Sequence, residues 1–283
     1  MNQPEQKPLV VLEGVKIRSD VSVRGISDIR FSDEGVDVNE REFLLKVPGV
    51  GSFYACDGRI VEYSAEKGAD LQWVQLYLNN QVLVALLHQR KVISFHASSF
   101  MLDRRGVMIL GETGAGKTSL TVAFAMNGAG FMSDDLTPVV FREDVPLIWS
   151  LNRRVKLRED SIEQLEIGGG NLSEAESGTG KKYMHIEKGA DEYHRLDVIV
   201  KIETGDVNEP VFMNLSAAER FTLLRSEVCS WEILAGMPET EAAYLQQLVK
   251  IIEKVNFVRV TRPADIEIRK MHEVVRDYLL SQP

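Results

Sequence analysis

The run Gly111-Glu112-Thr113-Gly114-Ala115-Gly116-Lys117-Thr118 fits the pattern G-x-x-x-x-G-K-[ST] without deviation. Glycines at those positions let a tight loop wrap a chain of phosphates, with backbone N–H groups aimed inward. Lys117 then reaches the β- and γ-phosphates of a nucleotide, and the Thr118 hydroxyl ligates Mg²⁺. The expected phosphate-binding set runs from Gly111 to Ser119, with ATP and Mg²⁺ as the implied cofactors. A cradle binds a nucleotide but does not by itself transfer phosphate. Transfer also needs a carboxylate to hold metal and a group to receive the acceptor's proton. Asp134 and Asp135, about one helix downstream, supply both, and the expected division gives Asp135 to the metal and Asp134 to the base. His96 adds a group that can hydrogen-bond the moving phosphate or the acceptor hydroxyl.

Elements that could position these residues are legible around them. Gly106-Val107-Met108-Ile109-Leu110 reads as a buried strand entering the loop. Thr118 to Met126 reads as the helix leaving it, whose N-terminal dipole favours an anion. That helix stops at Asn127-Gly128-Ala129-Gly130. Val92 to His96 reads as a strand expected to neighbour the loop strand. Val139-Val140-Phe141, Leu147-Ile148-Trp149, Leu196 to Ile202 and Phe257 to Val260 read as further strands. Ser216 to Glu219 is a capping box opening a helix, and helices are expected from about Glu239 to Lys254 and Ile266 to Leu280. Strands alternating with helices argue an α/β fold.

The first 70 or so residues read as β-rich. Ser52 to Cys56 and Arg59 to Tyr63 flank Asp57-Gly58, a hairpin signal. Leu71 to Leu87 carries a helical apolar pattern with Trp73, Leu76, Tyr77, Leu83, Ala85 and Leu87 on one face, weakened at Asn79-Asn80. The expected division is a β-rich region with a lead-in helix over 1–88 and a kinase core over 89–283. Two basic features remain. Arg153, Arg154, Lys156 and Arg158 read as a solvated edge or a substrate clamp. Gly168 to Lys182 reads as a mobile glycine-rich loop whose Lys181 and Lys182 could close over the γ-phosphate.

Bulk properties exclude several classes. The chain has 283 residues, 44% of them hydrophobic and 27% charged, with a net charge of −9. That charge argues against a nucleic-acid-coating surface. No apolar run approaches the roughly 20 residues that span a bilayer. Met1 to Pro8 lacks the basic and apolar segments of a signal peptide, and Cys56 and Cys229 have no metal-ligand spacing. A cytoplasmic protein is expected, and a homo-oligomer is admitted.

Three blocks carry a resemblance. They are His96-Ala97-Ser98, the strand and loop from Gly106 to Thr118, and Gly128 through Ser133-Asp134-Asp135. In order and spacing they resemble the HPr kinase/phosphorylase family, and more closely its shorter relatives, the HPr-kinase-related proteins. The resemblance implies a fold akin to phosphoenolpyruvate carboxykinase. It puts His96 in the catalytic site, gives phosphate and metal to Lys117 and Thr118, and takes the activating base from the Asp pair. The chain lacks the Glu-Ile-Arg-Gly-type segment of the phosphorylase direction, and its N-terminal region does not read as the longer regulatory domain. The implied activity is therefore a kinase acting on a serine of a protein or peptide. Two other readings stand: a small-metabolite kinase of the gluconate or shikimate kind, and a nucleotide-binding sensor that transfers nothing.

Overall fold

The computed structural model describes residues 12–151, 154–169, 172–175, 180–186 and 192–282. Met1 to Pro8, Arg153, and positions 170–171 and 176–179 of the Gly168 to Lys182 stretch lie outside them. The chain forms two compact units: Met1–Ile93 with Cys229–Gln247, and Ser94–Val228 with Leu248–Pro283. The first cut therefore falls at Ile93 rather than 88, and a later stretch of the chain belongs to the first unit.

In the first unit, strands β1 (Lys16–Ser19), β2 (Phe31–Asp33), β3 (Val36–Val38), β4 (Glu42–Val47), β5 (Gly51–Cys56) and β6 (Ile60–Ala65) form one sheet in the order β1-β6-β5-β4-β3-β2. The hairpin between β5 and β6 turns at Asp57 and Gly58, both left-handed at φ 52° and 63°. Their twist matches that of the strands, as the sequence signal requires. The helical stretch is α1 (Leu71–Tyr77), a π-helical turn (Leu78–Val82) and α2 (Leu83–Gln89). The weak middle at Asn79-Asn80 is that wider turn, which shifts the apolar register. Trp73, counted on the apolar face from spacing, is exposed, while Val74, Leu78, Val82 and Leu86 are buried.

The second unit is mixed α/β. Its elements are β7 (Ile93–Phe95) from Ser94 on, β8 (Ser98–Leu102), β9 (Arg105–Leu110), α3 (Lys117–Met126), β10 (Gly130–Ser133), β11 (Thr137–Arg142), β12 (Val145–Trp149), β13 (Arg154–Arg158), α4 (Glu159–Gln164), β14 (Leu172–Glu174), β15 (Lys181–His185), β16 (Tyr193–Thr204), β17 (Val211–Met213), α5 (Ala217–Glu227), the part of α6 (Pro238–Lys254) after Gln247, β18 (Asn256–Arg262) and α7 (Ile268–Ser281). The main sheet runs β10-β8-β9-β16-β12-β11-β7, and β18, parallel to β16, carries β17 on its other edge. A smaller sheet has the order β13-β15-β14.

Helix α3 is buried on nearly every side, so its sequence shows no single apolar stripe. Its Leu120 and Phe124 pack with Val107, Val200, Val258 and Val275 in one core cluster. Val122 and Ala123 pack with Val155, Leu157 and Met184 of the small sheet, and with Ile186 just after it, in another. Each such side chain contributes about 1.5–3 kcal/mol when fully buried. This double burial holds the N-terminus of α3, and so the glycine loop, against both sheets.

Two expectations are corrected here. The strand before His96 does not neighbour β9: β7 pairs with β11 at the far edge, and β8 pairs with β9. The turn between β8 and β9, Asp103-Arg104, is left-handed at both residues (φ 47° and 64°) and carries no glycine to announce a hairpin. Nor is Gly168 to Lys182 a loop throughout, because it contains β14 and the first residues of β15. Met184 of β15 and Ile186 just beyond it reach the core. Among the described residues, no helix is long and apolar enough to cross a membrane.

Candidate active site

The buried strand β9 delivers the chain into the glycine loop, and β16 lies beside it. A Cβ at Gly111 would sit 2.2 Å from the Ile202 carbonyl oxygen, at a φ of +146°, so this position admits no side chain. Gly116 caps α3 in a left-handed conformation, with φ 103°. The first turn of α3 therefore opens toward the cleft with unpaired N–H groups, the geometry that receives a phosphate. Lys117 is 8% exposed and curls back over the loop. Its Nζ donates to the Gly111 carbonyl at 2.5 Å and to that of Glu112 at 3.4 Å. Burial holds the Lys117 pKa below its ordinary value, against the charges of Glu227, Asp135 and Asp134.

The acidic pair follows β10. A chain of buried hydroxyls fixes the turn that presents it. Thr137 Oγ1 donates to the Ala97 carbonyl, so the proton between Ser133 and Thr137 comes from Ser133, and Ser99 donates to Ser133 in turn. Asp134 is buried. Its Oδ1 accepts from Thr118 Oγ1 at 2.8 Å and from Ser98 Oγ at 2.5 Å. Burial pushes its carboxyl up to about 6, opposed by those two hydrogen bonds. Asp135 is left-handed at φ 68° and turns its side chain outward, 64% exposed. His96 Nδ1 lies 3.3 Å from Asp135 Oδ1.

His96 sits in the turn from β7 to β8, where its backbone N–H donates to the Glu227 carbonyl at 2.7 Å. Burial, then the Lys117 charge, lowers its pKa despite Asp135, so the ring is neutral at pH 7.

His96, Ser98, Asp135, Lys117 and Thr118 line one cleft of about 490 Å³, with Lys156, Arg158, Lys181 and Arg262 also on its walls. Ser119 is there too, and its Oγ pairs with Ser161 Oγ of α4 at 2.8 Å. Among the described residues no group of three His, Cys, Asp or Glu side chains could hold a metal. Thr118 and Asp134 fit Mg²⁺ in another way. This ion keeps several waters and takes one or two protein oxygens alongside phosphates. Thr118 spends its hydrogen on Asp134 and keeps its oxygen lone pairs.

No protein-family model matches the chain, and no curated protein matches it. Among solved structures it is similar to the Hpr(Ser) kinase/phosphatase from Coxiella burnetii. That likeness has 14% identity and a TM-score of 0.36 over 66% of this chain and 96% of the other.

Three residues of the site are not among those read from the sequence as functional. Ser98, two residues after His96, donates to Asp134 Oδ1. Arg262, at the end of β18, donates from Nε to the Ala115 carbonyl at 3.0 Å and braces the loop. Glu227, at the end of α5, is held above its ordinary pKa by burial, with Lys117 opposing, and it contacts the Gly111 backbone. Neither of the last two has a local pattern, because each is brought in from far along the chain. The expected lid lysines are strand residues: Lys181 pairs across from Arg158, and Lys182 bonds Glu159 at 3.4 Å.

Proposed function

We propose that the chain is an ATP-dependent kinase that transfers the γ-phosphate to a hydroxyl, in the kinase direction. One observation carries this reading: Thr118 of the glycine loop hydrogen-bonds Asp134, while Asp135 stands beside His96 on the same cleft. A phosphate cradle and an acidic pair are thereby joined, as phosphoryl transfer demands. The charges of both carboxylates act on Lys117, which favours transfer over a sensor. The serine of a protein or peptide as acceptor follows from the resemblance carried by the His96, glycine-loop and Asp-pair blocks.

The hydrogen bonds favour a division of labour opposite to the expected one. Asp134, with Thr118, serves the metal side; Asp135, exposed and paired with His96, serves the acceptor. Bound Mg²⁺ would supply charge neutralisation across the β- and γ-phosphates. The acceptor hydroxyl passes its proton to Asp135 as its oxygen bonds phosphorus and the bond to the ADP oxygen breaks. His96, with Nδ1 3.3 Å from Asp135 Oδ1, holds that carboxylate at the mouth of the cleft. Lys117 leaves the loop carbonyls for the phosphates, and α3 meets them with its N–H groups.

Lys117→Ala tests the reading by calorimetric titration with ATP. A charge-assisted hydrogen bond is worth about 1.5–3 kcal/mol, so affinity should drop about 10- to 100-fold. Unchanged affinity in a folded variant would overturn the assignment.

A further inference from the structure

One wall of the cleft is strongly basic in a patterned way. Across β13 and β15, Arg154 lies opposite His185, Lys156 opposite Tyr183 and Arg158 opposite Lys181. Side chains on a strand alternate between faces, so Arg154, Lys156, Arg158 and Lys181 share one face with Tyr183. Val155, Leu157 and Met184 point the other way, into the core. The Arg154 guanidinium stacks 3.9 Å from the Tyr183 ring centre, and Lys156 Nζ lies 5.5 Å from it.

This arrangement costs stability. Like charges directly opposite each other on paired strands repel, and Arg158 faces Lys181. From Arg154 to Arg158 the stripe covers about 13 Å at roughly 3.3 Å per residue. That is longer than one phosphate group and matches about four residues of an extended peptide. Its inner end, at Lys156, Arg158 and Lys181, lines the same cleft as Asp135 and His96.

We propose that this face of β13 and β15 is a docking strip for the acceptor, which is a peptide segment carrying Asp or Glu beside its serine. The proposal rests on the kinase reading for the acceptor's presence, but the docking itself is a binding property. Opposed charges at the lip of a low-dielectric cleft steer such a segment inward and weaken with added salt.

The test uses fluorescent serine peptides of equal length with acidic, amide or basic flanks. Anisotropy with the full chain measures binding, and labelled ATP measures transfer. The acidic peptide should bind at least tenfold tighter than the amide one and lose that advantage in high salt. Arg154→Glu and Arg158→Glu should shift the preference toward basic flanks, with ATP affinity retained in Arg154→Glu. The milder Arg154→Gln and Arg158→Gln should weaken the acidic preference if either reversal fails to fold. Equal binding of all peptides, or a preference that none of these variants alters, overturns the docking strip. A fall in ATP affinity in Arg158→Glu with the peptide preference unchanged also overturns it, assigning that cation to the nucleotide. Acidic peptide that binds but receives no label would sink the kinase reading alone. Label transferred regardless of flanking charge would sink the docking strip alone.

Discussion

The Thr118 hydroxyl, at the end of the glycine loop, donates a hydrogen bond of 2.8 Å to Asp134 Oδ1. The two residues lie on different elements, so the bond locks the loop to the turn after β10. It also orients Thr118 with its lone pairs outward, ready for a cation.

Asp134→Asn keeps the size of the side chain and removes its charge. ATP binding in Mg²⁺ should fall to the level seen with a chelator present, and Thr118→Ala should do the same; calorimetry in both conditions reads this. Burial raises the Asp134 pKa to about 6. A raised carboxyl contributes stability that is lost as pH rises through its folded pKa, so above pH 6 the Asn variant should be at least as stable as the parent. Magnesium dependence that survives Asp134→Asn but vanishes in Asp135→Asn would restore the opposite division of the pair.

Asp135 is left-handed, a conformation that Asn adopts readily. Asp135→Asn should therefore fold normally and bind ATP, while phosphate transfer drops about 10²–10⁴-fold. His96→Gln should reduce transfer by less, since the ring positions the base. Wild-type turnover in both variants would remove these residues from the reaction.

His88 is buried in the first unit, with Nδ1 2.9 Å from the Tyr244 hydroxyl and Nε2 3.1 Å from the Cys229 carbonyl. The Tyr244 hydroxyl also lies 2.8 Å from the Val92 carbonyl. Burial depresses the His88 pKa to about 4. The unfolded chain then binds the extra proton first, so stability falls as pH drops from about 6.5 toward 4. The loss should reach about 2 kcal/mol by pH 5. Urea unfolding at pH 8 and pH 5 measures it, and His88→Gln should lessen the difference by that amount. An equal pH dependence in the two proteins would show that His88 is not the source.

Much of the site was legible because its parts are contiguous. The glycine loop needs particular residues at fixed offsets, and the strand before and helix after it follow from short apolar runs. The Asp57-Gly58 hairpin and the Ser216–Glu219 capping box were equally readable, since their bonds close within a few residues. Met184 and Ile186 also signalled a strand, but the glycines before them masked it.

The amino-acid sequence by itself determined the chemistry on offer: a phosphate-sized loop, a lysine and a hydroxyl at its end, two carboxylates and an imidazole. Tertiary structure decided how they are used. It buried Asp134 against Thr118 and Ser98, and it turned Asp135 out toward His96. It brought Glu227 and Arg262 to the loop from distant elements, moved β7 to the far edge of the sheet, and aligned the cations of β13 and β15 on one face. Turns and caps are settled by neighbours along the chain. Strand order and burial depend on which apolar faces close on one another over the whole unit, and no local window of residues contains that balance.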